Sequence, residues 1–159
     1  MKIRNILLIL LAMTTGSFAN PDSEADAERK SVQQAVDQFY LALDHMFKGD
    51  IALMKEVWSH ADDIVYMGPD GKTLVGWEPI DKLWDYQASL KLGGKVVPAD
   101  MKITIGSNLA VTHNLEVGEN EVDGETQKVS IRVTNVFRKE AGKWKMIGHH
   151  TDLLPFLSK

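Results

Sequence analysis

Apolar residues recur at steps of three and four in the first third of the chain. Val32, Val36, Phe39, Leu43 and the Met46–Phe47 pair fall on one stripe, which predicts an amphipathic helix over about residues 22–48. Ser23 can cap its start, and Gly49 suits a left-handed stop after its end. Asp50 can then cap a short second helix carrying Leu53, Met54, Val57 and Trp58. Asp63 to Met67 reads as a strand, Gly68-Pro69-Asp70-Gly71 as a turn, and Thr73 to Val75 as the returning strand. Gly76-Trp77-Glu78-Pro79 opens a third helix, with Ile80, Leu83, Trp84 and Leu90 on its apolar side and Gly93-Gly94 at its end.

Beyond Gly94 the period changes to two. Met101 to Ile105 alternates, Gly106-Ser107-Asn108 turns, and Leu109, Val111, His113, Leu115 and Val117 share one face of the next run. Asp123-Gly124 marks another turn. Val129 to Lys139 and Trp144 to Asp152, joined through Glu140-Ala141-Gly142-Lys143, form a long antiparallel hairpin. Helices first and a four-strand meander afterwards predict an α+β fold. A strongly curved, mostly antiparallel sheet wrapped around the long N-terminal helix would leave a cavity.

Strict alternation along that hairpin places Arg132 and Thr134 on one face of its first strand, and Trp144, Met146, His150 and Asp152 on one face of its second. Ionisable groups amid apolar strand residues are costly to bury unless they pair or serve a ligand. The expected site is therefore a convergence of Arg132, His150 and Asp152 inside the hollow.

Composition narrows the class. Lys2 and Arg4 precede an uninterrupted apolar run from Ile6 to Met13, and Ser17-Phe18-Ala19 offers small residues for cleavage, so residues 1–19 read as a signal peptide. The run is far short of the roughly 20 residues that a membrane span needs. Cleavage leaves 140 of the 159 residues as a single domain, 20–159. A periplasmic or secreted location follows. With no Cys, the exported domain is held by packing alone and has neither a thiol nucleophile nor a cysteine metal site. Without Lys2 and Arg4 the formal charge moves from 18 minus 22 to 16 minus 22, or −6, with no basic stripe for nucleic acid. No later run is long enough to cross a membrane. There is no serine nucleophile elbow, phosphate-cradling glycine loop or dinucleotide fingerprint, and no cofactor is expected.

The order helix, Gly-Asp, short helix ending in Trp58, strand, Gly-Pro-Asp-Gly turn, Gly76-Trp77-Glu78, helix and meander resembles the SnoaL-like branch of the nuclear transport factor 2-like superfamily, the ketosteroid isomerase-like, cystatin-like cone fold. The closing signature matches at Arg132-Val133-Thr134, Gly142-Lys143-Trp144-Lys145 and His150, and departs at Asp152, where Ser is usual. The likeness spans roughly Ser31 to Asp152. It implies a bent sheet around a long helix, a pocket at the wide end, and homodimers through the convex sheet face. Its members range from isomerases, cyclases and dehydratases to domains with no known reaction, so fold does not settle function.

Each candidate has two readings. His150 and Asp152 form an acid/base pair, or a structural hydrogen bond near the strand end. Arg132 holds ligand negative charge, or neutralises Asp152. His113 is a hydrogen-bonded core residue, or a second acid/base group if it shares the cavity with His150. Thr134 belongs to the same expected pocket. Trp58, Tyr66, Trp77 and Trp84 serve as aromatic pocket wall, or as plain core. His149 and His150 point to opposite faces and cannot readily share a metal, and no His spacing supports a metal site. The leading expectation is a small apolar or aromatic ligand, with proton-transfer chemistry of the isomerase, cyclase or lyase type. The alternatives are a non-catalytic carrier or sensor, and an interaction module whose pocket is filled by side chains. Cavity volume separates the last of these from the rest.

Overall fold

The computed structural model describes residues 21–157; the expected signal peptide lies outside them. Helix α1 runs Pro21–Met46, close to the predicted span, and α2 is Ala52–Val57. Strands β1 (Val65–Met67) and β2 (Thr73–Val75) form the small hairpin, and α3 covers Trp77–Leu90. Four long strands follow: β3 Lys95–Ile105, β4 Leu109–Val122, β5 Glu125–Glu140 and β6 Lys143–Thr151.

The sheet order is β2-β1-β6-β5-β4-β3. The last four strands form the expected antiparallel meander, and β1 joins it parallel to β6, with Tyr66 opposite His149. Most of the sheet is thus antiparallel, as the hydrophobic pattern requires, and one parallel seam adds the early hairpin to its edge.

Three local devices bend this sheet around α1. At Gly118 a side chain is impossible, because a Cβ would sit 1.9 Å from the Lys95 carbonyl oxygen. A bulge in β3 lies between Ala99 and Lys102, where Asp100 takes φ 54°. A second bulge lies in β6. Val136 faces Gly148 while Phe137 faces Met146, which leaves Ile147 as the extra residue.

The concave side carries the core. Val32, Val36, Phe39, Ala42, Leu43 and Met46 of α1 are buried against Val129, Ile131, Val133 and Phe137 of β5 and Met146 of β6. Fully burying side chains of this size stabilises by about 1.5–3 kcal/mol each. α3 closes one side of the cone through Ile80, Leu83 and Trp84.

Candidate functional site

The bulge at Ile147 decides which histidine enters the cone. Upstream of it, Trp144 and Met146 point inward and are buried. Downstream the alternation has slipped by one, so His149 and Thr151 are buried and His150 is exposed. A single-residue slip exchanges the two faces of a strand.

The expected constellation is corrected accordingly. His113, Thr134 and His150 are cross-strand neighbours in one row, and that row lies on the outer face of the sheet. His113 and His150 are exposed, and Thr134 is half-buried. Arg132 points the same way, with its side chain 83% exposed, and grips Asp152. The guanidinium reaches the carboxylate at 2.9 Å through Nε and 2.8 Å through Nη2, and the Arg132 backbone N–H donates to Asp152 Oδ2 at 2.9 Å. That pair holds the Asp152 carboxyl at about 2, below the usual carboxylate range. Of the two readings of Arg132, the ion pair with Asp152 is the one found. None of these five residues lines the internal cavity.

The aromatic candidates divide. Tyr66 and Trp84 line the cavity. Trp58 is 1% exposed and packs on Trp84, with ring centroids 5.8 Å apart, as core. Trp77 is half-buried at the surface, stacked 4.0 Å from the His60 ring.

The cavity itself holds a different set of polar groups. It is a chamber of about 40 Å³ walled by Phe39, Leu43, Phe47, Trp84, Val129 and Ile131. Glu116 and Asn120 of β4 and His149 of β6 also face it. Glu116 is 5% exposed, and its Oε1 has no hydrogen-bond partner. Burial pushes its carboxyl up to about 7, while the neighbouring Tyr40 hydroxyl favours the charged form. Desolvation penalises the ion because an apolar wall returns little of the lost hydration. Tyr40, on α1, accepts a 2.8 Å hydrogen bond from Asn114 Nδ2. Burial, and then the Glu116 charge, push the Tyr40 phenol well above its usual range.

His149 is held from three sides. Its ring lies 5.5 Å from Phe39 and stacks on Tyr66 at 5.7 Å, and Nδ1 is 2.7 Å from Asn135 Oδ1. Burial, with a lesser push from His150, lowers its pKa to about 3, so the imidazole is neutral. Tyr66 accepts from Gln87 Nε2 at 3.1 Å, and its phenol is pushed up by burial and then by Asp70.

A second, outer hollow of about 300 Å³ shares Gln87, Leu92 and Leu157 with the chamber, so the two are neighbours across these side chains. The carboxy-terminal segment lies between them. Leu154 is buried against the chamber, and its N–H donates to the Pro69 carbonyl at 2.9 Å. Phe156 and Leu157 line the outer hollow. This apolar tail lies over the mouth of the chamber.

Among the described residues, no cluster of His, Asp and Glu is arranged to hold a metal, and no helix is long and apolar enough to cross a membrane.

A family model for the SnoaL-like domain matches residues 32–153. The chain belongs to the SnoaL-like family. Nuclear transport factor 2-like proteins of known structure superpose on it. A candidate dehydratase of the nuclear transport factor 2-like family from Streptomyces avermitilis gives a TM-score of 0.70 at 19% identity, over 81% of this chain and 98% of that one. A nuclear transport factor 2-like protein with a cystatin-like fold from Novosphingobium aromaticivorans gives 0.67 at 18%, over 88% and 93%. A nuclear transport factor 2-like superfamily protein from Salmonella enterica gives 0.69 at 17%, over 80% and 92%. At these identities the likeness establishes the fold. No functionally curated protein matches the chain.

Glu116, Asn120, Asn135, Tyr40 and His149 were not singled out from the sequence as site residues. The available signal was the polar series Thr112, Asn114, Glu116 and Asn120, spaced at even steps through apolar β4. Such a series ordinarily marks a solvent face. Here the intervening Val111, Leu115 and Val117 are on the outside.

Proposed function

We propose that this SnoaL-like domain binds a small, largely apolar molecule in the chamber and holds its polar end at Glu116. One observation carries the reading: a fully desolvated carboxyl with an unpartnered oxygen on the wall of an otherwise apolar cavity. A structural core has no need of such a group, since leaving a buried acceptor unpaired costs about 1–3 kcal/mol or more. The inner space alone admits little beyond a few atoms. A ligand of useful size also occupies the outer hollow, with Leu154 and Leu157 displaced. Proton transfer of the isomerase, cyclase or lyase type is the chemistry that Glu116 supports, because its pKa of about 7 lets it both give and take a proton near neutrality. The acid/base role proposed for His150 and Asp152 passes to it.

Native mass spectrometry of the protein purified from its own host tests this. A retained small molecule that disappears in Ile131→Trp supports the reading, and a ligand-free mass at every preparation argues for the alternative without a ligand. That alternative, an interaction module, is favoured by two features: the chamber itself is only about 40 Å³, and Val97 and Leu109 are exposed, with Val111, Leu115, Val117 and Val136 half-buried, on the outer sheet face. We further propose that this face joins two copies and that the domain is exported. Sedimentation of wild type and Leu115→Lys, and amino-terminal sequencing of the protein from its host, check these two points.

A further inference from the structure

The ligand reading above leaves open the nature of the polar end, and the charge pattern from mouth to chamber speaks to it. Resting on that reading, we propose that the ligand is an organic amine bound as its ammonium ion, with the head paired to Glu116 in the chamber and the apolar body in the outer hollow.

Three features converge. The first is Glu116 itself, whose Oε1 is buried and unpartnered, with no Lys or Arg among the described residues lining the chamber. A lone buried carboxylate is satisfied by a cationic N–H donor, which supplies both the missing charge and the missing hydrogen bond. An anionic ligand would meet no positive group there. The second is the wall. Phe39, Tyr66 and Trp84 present aromatic rings to the chamber, and ring faces attract ammonium groups within about 6 Å.

The third is the approach. Among the described residues, the outer hollow is lined by Asp70, Glu121 and Asp123 against one cation, Lys72. Lys72 is already engaged, 3.3 Å from Asp70 and 5.1 Å from the Tyr86 ring centroid. Its ammonium therefore illustrates the carboxylate-plus-ring environment that a ligand cation would find further in. An acid-lined concave mouth raises the local concentration of cations and speeds their association. The two spaces, about 40 Å³ and about 300 Å³, suit a small head on a larger body.

The test compares 2-phenylethylamine with its neutral analogue 2-phenylethanol by isothermal titration calorimetry on the full mature chain. The amine is expected to bind wild type at least about tenfold more tightly, and Glu116→Gln to erase that margin while retaining the alcohol. The margin should also shrink from about pH 8 to about pH 5, because Glu116 must be ionised to pair. The other titratable groups of the cavity are Tyr40 from α1, Tyr66 from β1 and His149 from β6. All three are neutral across that range. Glu121→Gln with Asp123→Asn should slow amine association and weaken its salt dependence, leaving the Glu116-dependent margin in place. Equal or better binding of the alcohol to wild type, or a margin that survives Glu116→Gln, overturns the amine proposal while leaving the cavity as a ligand site. Binding of neither compound to wild type overturns both. Thermal melts of each variant confirm folding, and Glu116→Gln, which removes a buried acid, is not expected to unfold the domain.

Discussion

His149 and Asn135 meet inside the cone, Nδ1 to Oδ1, at 2.7 Å. An amide oxygen only accepts, so Nδ1 carries the proton and Nε2 is the bare nitrogen. The ring is neutral and stays so, because burial lowers its pKa to about 3. In the unfolded chain the same imidazole titrates near 6.5. The unfolded state therefore binds more protons between these values. The stability tied to His149 is complete above about pH 6.5 and drains as pH falls toward 3. Nitrogen-resolved NMR should find one His locked in the Nδ1–H form with no titration above about pH 4. Asn135→Leu should destabilise by about 1–3 kcal/mol by stranding that N–H, as read from urea melts.

Glu116 acts in the opposite direction. Its folded pKa is raised to about 7 from an ordinary 4.5, so the folded state holds the extra proton between those values. Stability is full below about pH 4.5 and falls as pH rises toward 7, at up to about 1.4 kcal/mol per pH unit. Glu116→Gln removes that slope. Relative to wild type, the variant should gain stability steadily across this window and run parallel to it elsewhere. A constant difference between the two melting curves at every pH would show that the carboxyl is not desolvated.

Arg132 and Asp152 are predicted to matter little to the chamber. Arg132→Ala and Asp152→Asn should leave ligand affinity unchanged, because both side chains lie on the far side of the sheet. Their own signature is in acid. With the Asp152 pKa depressed to about 2, its contribution is present above about pH 4 and lost as pH falls through 2. High salt should blunt it, as for any exposed pair. Matched acid titrations of wild type and Asp152→Asn at low and high salt provide the check.

The tail gives a kinetic prediction. Beyond Asp152 the Leu154–Pro69 backbone hydrogen bond ties it to the rest of the fold, supplemented by the buried Leu154 side chain. A chain ending at Leu153 should take up and release a neutral hydrophobic dye such as Nile red faster than wild type, measured by stopped flow. Unchanged rates would mean that ligands reach the chamber by another route.

Much of this architecture is legible in the chain. The i, i+3, i+4 stripe through Val32, Val36, Phe39 and Leu43 specifies α1, because a helix with one greasy face must bury it. The turn residues Asp70-Gly71 and Asp123-Gly124 place hairpins, because few other residues accept positive φ. The aromatic cavity residues Tyr66 and Trp84 were legible as wall or core. The chemistry was not. His150 was favoured over His149 on the premise that alternation continues unbroken from Trp144 to Asp152, and the Ile147 bulge breaks it.

Local sequence thus determined the elements, their order and the family, because periodicity and turn chemistry act over a few residues at a time. Tertiary structure decided which face of each long strand became the inside. In β4 the more apolar face, Leu109, Val111, Leu115 and Val117, is the outer one, and the polar face with Thr112, Asn114 and Glu116 is buried, so the choice of face follows from its pairing with β5, whose Val129, Ile131, Val133 and Phe137 dock on α1. Those are properties of paired strands, and a single strand read alone does not contain them.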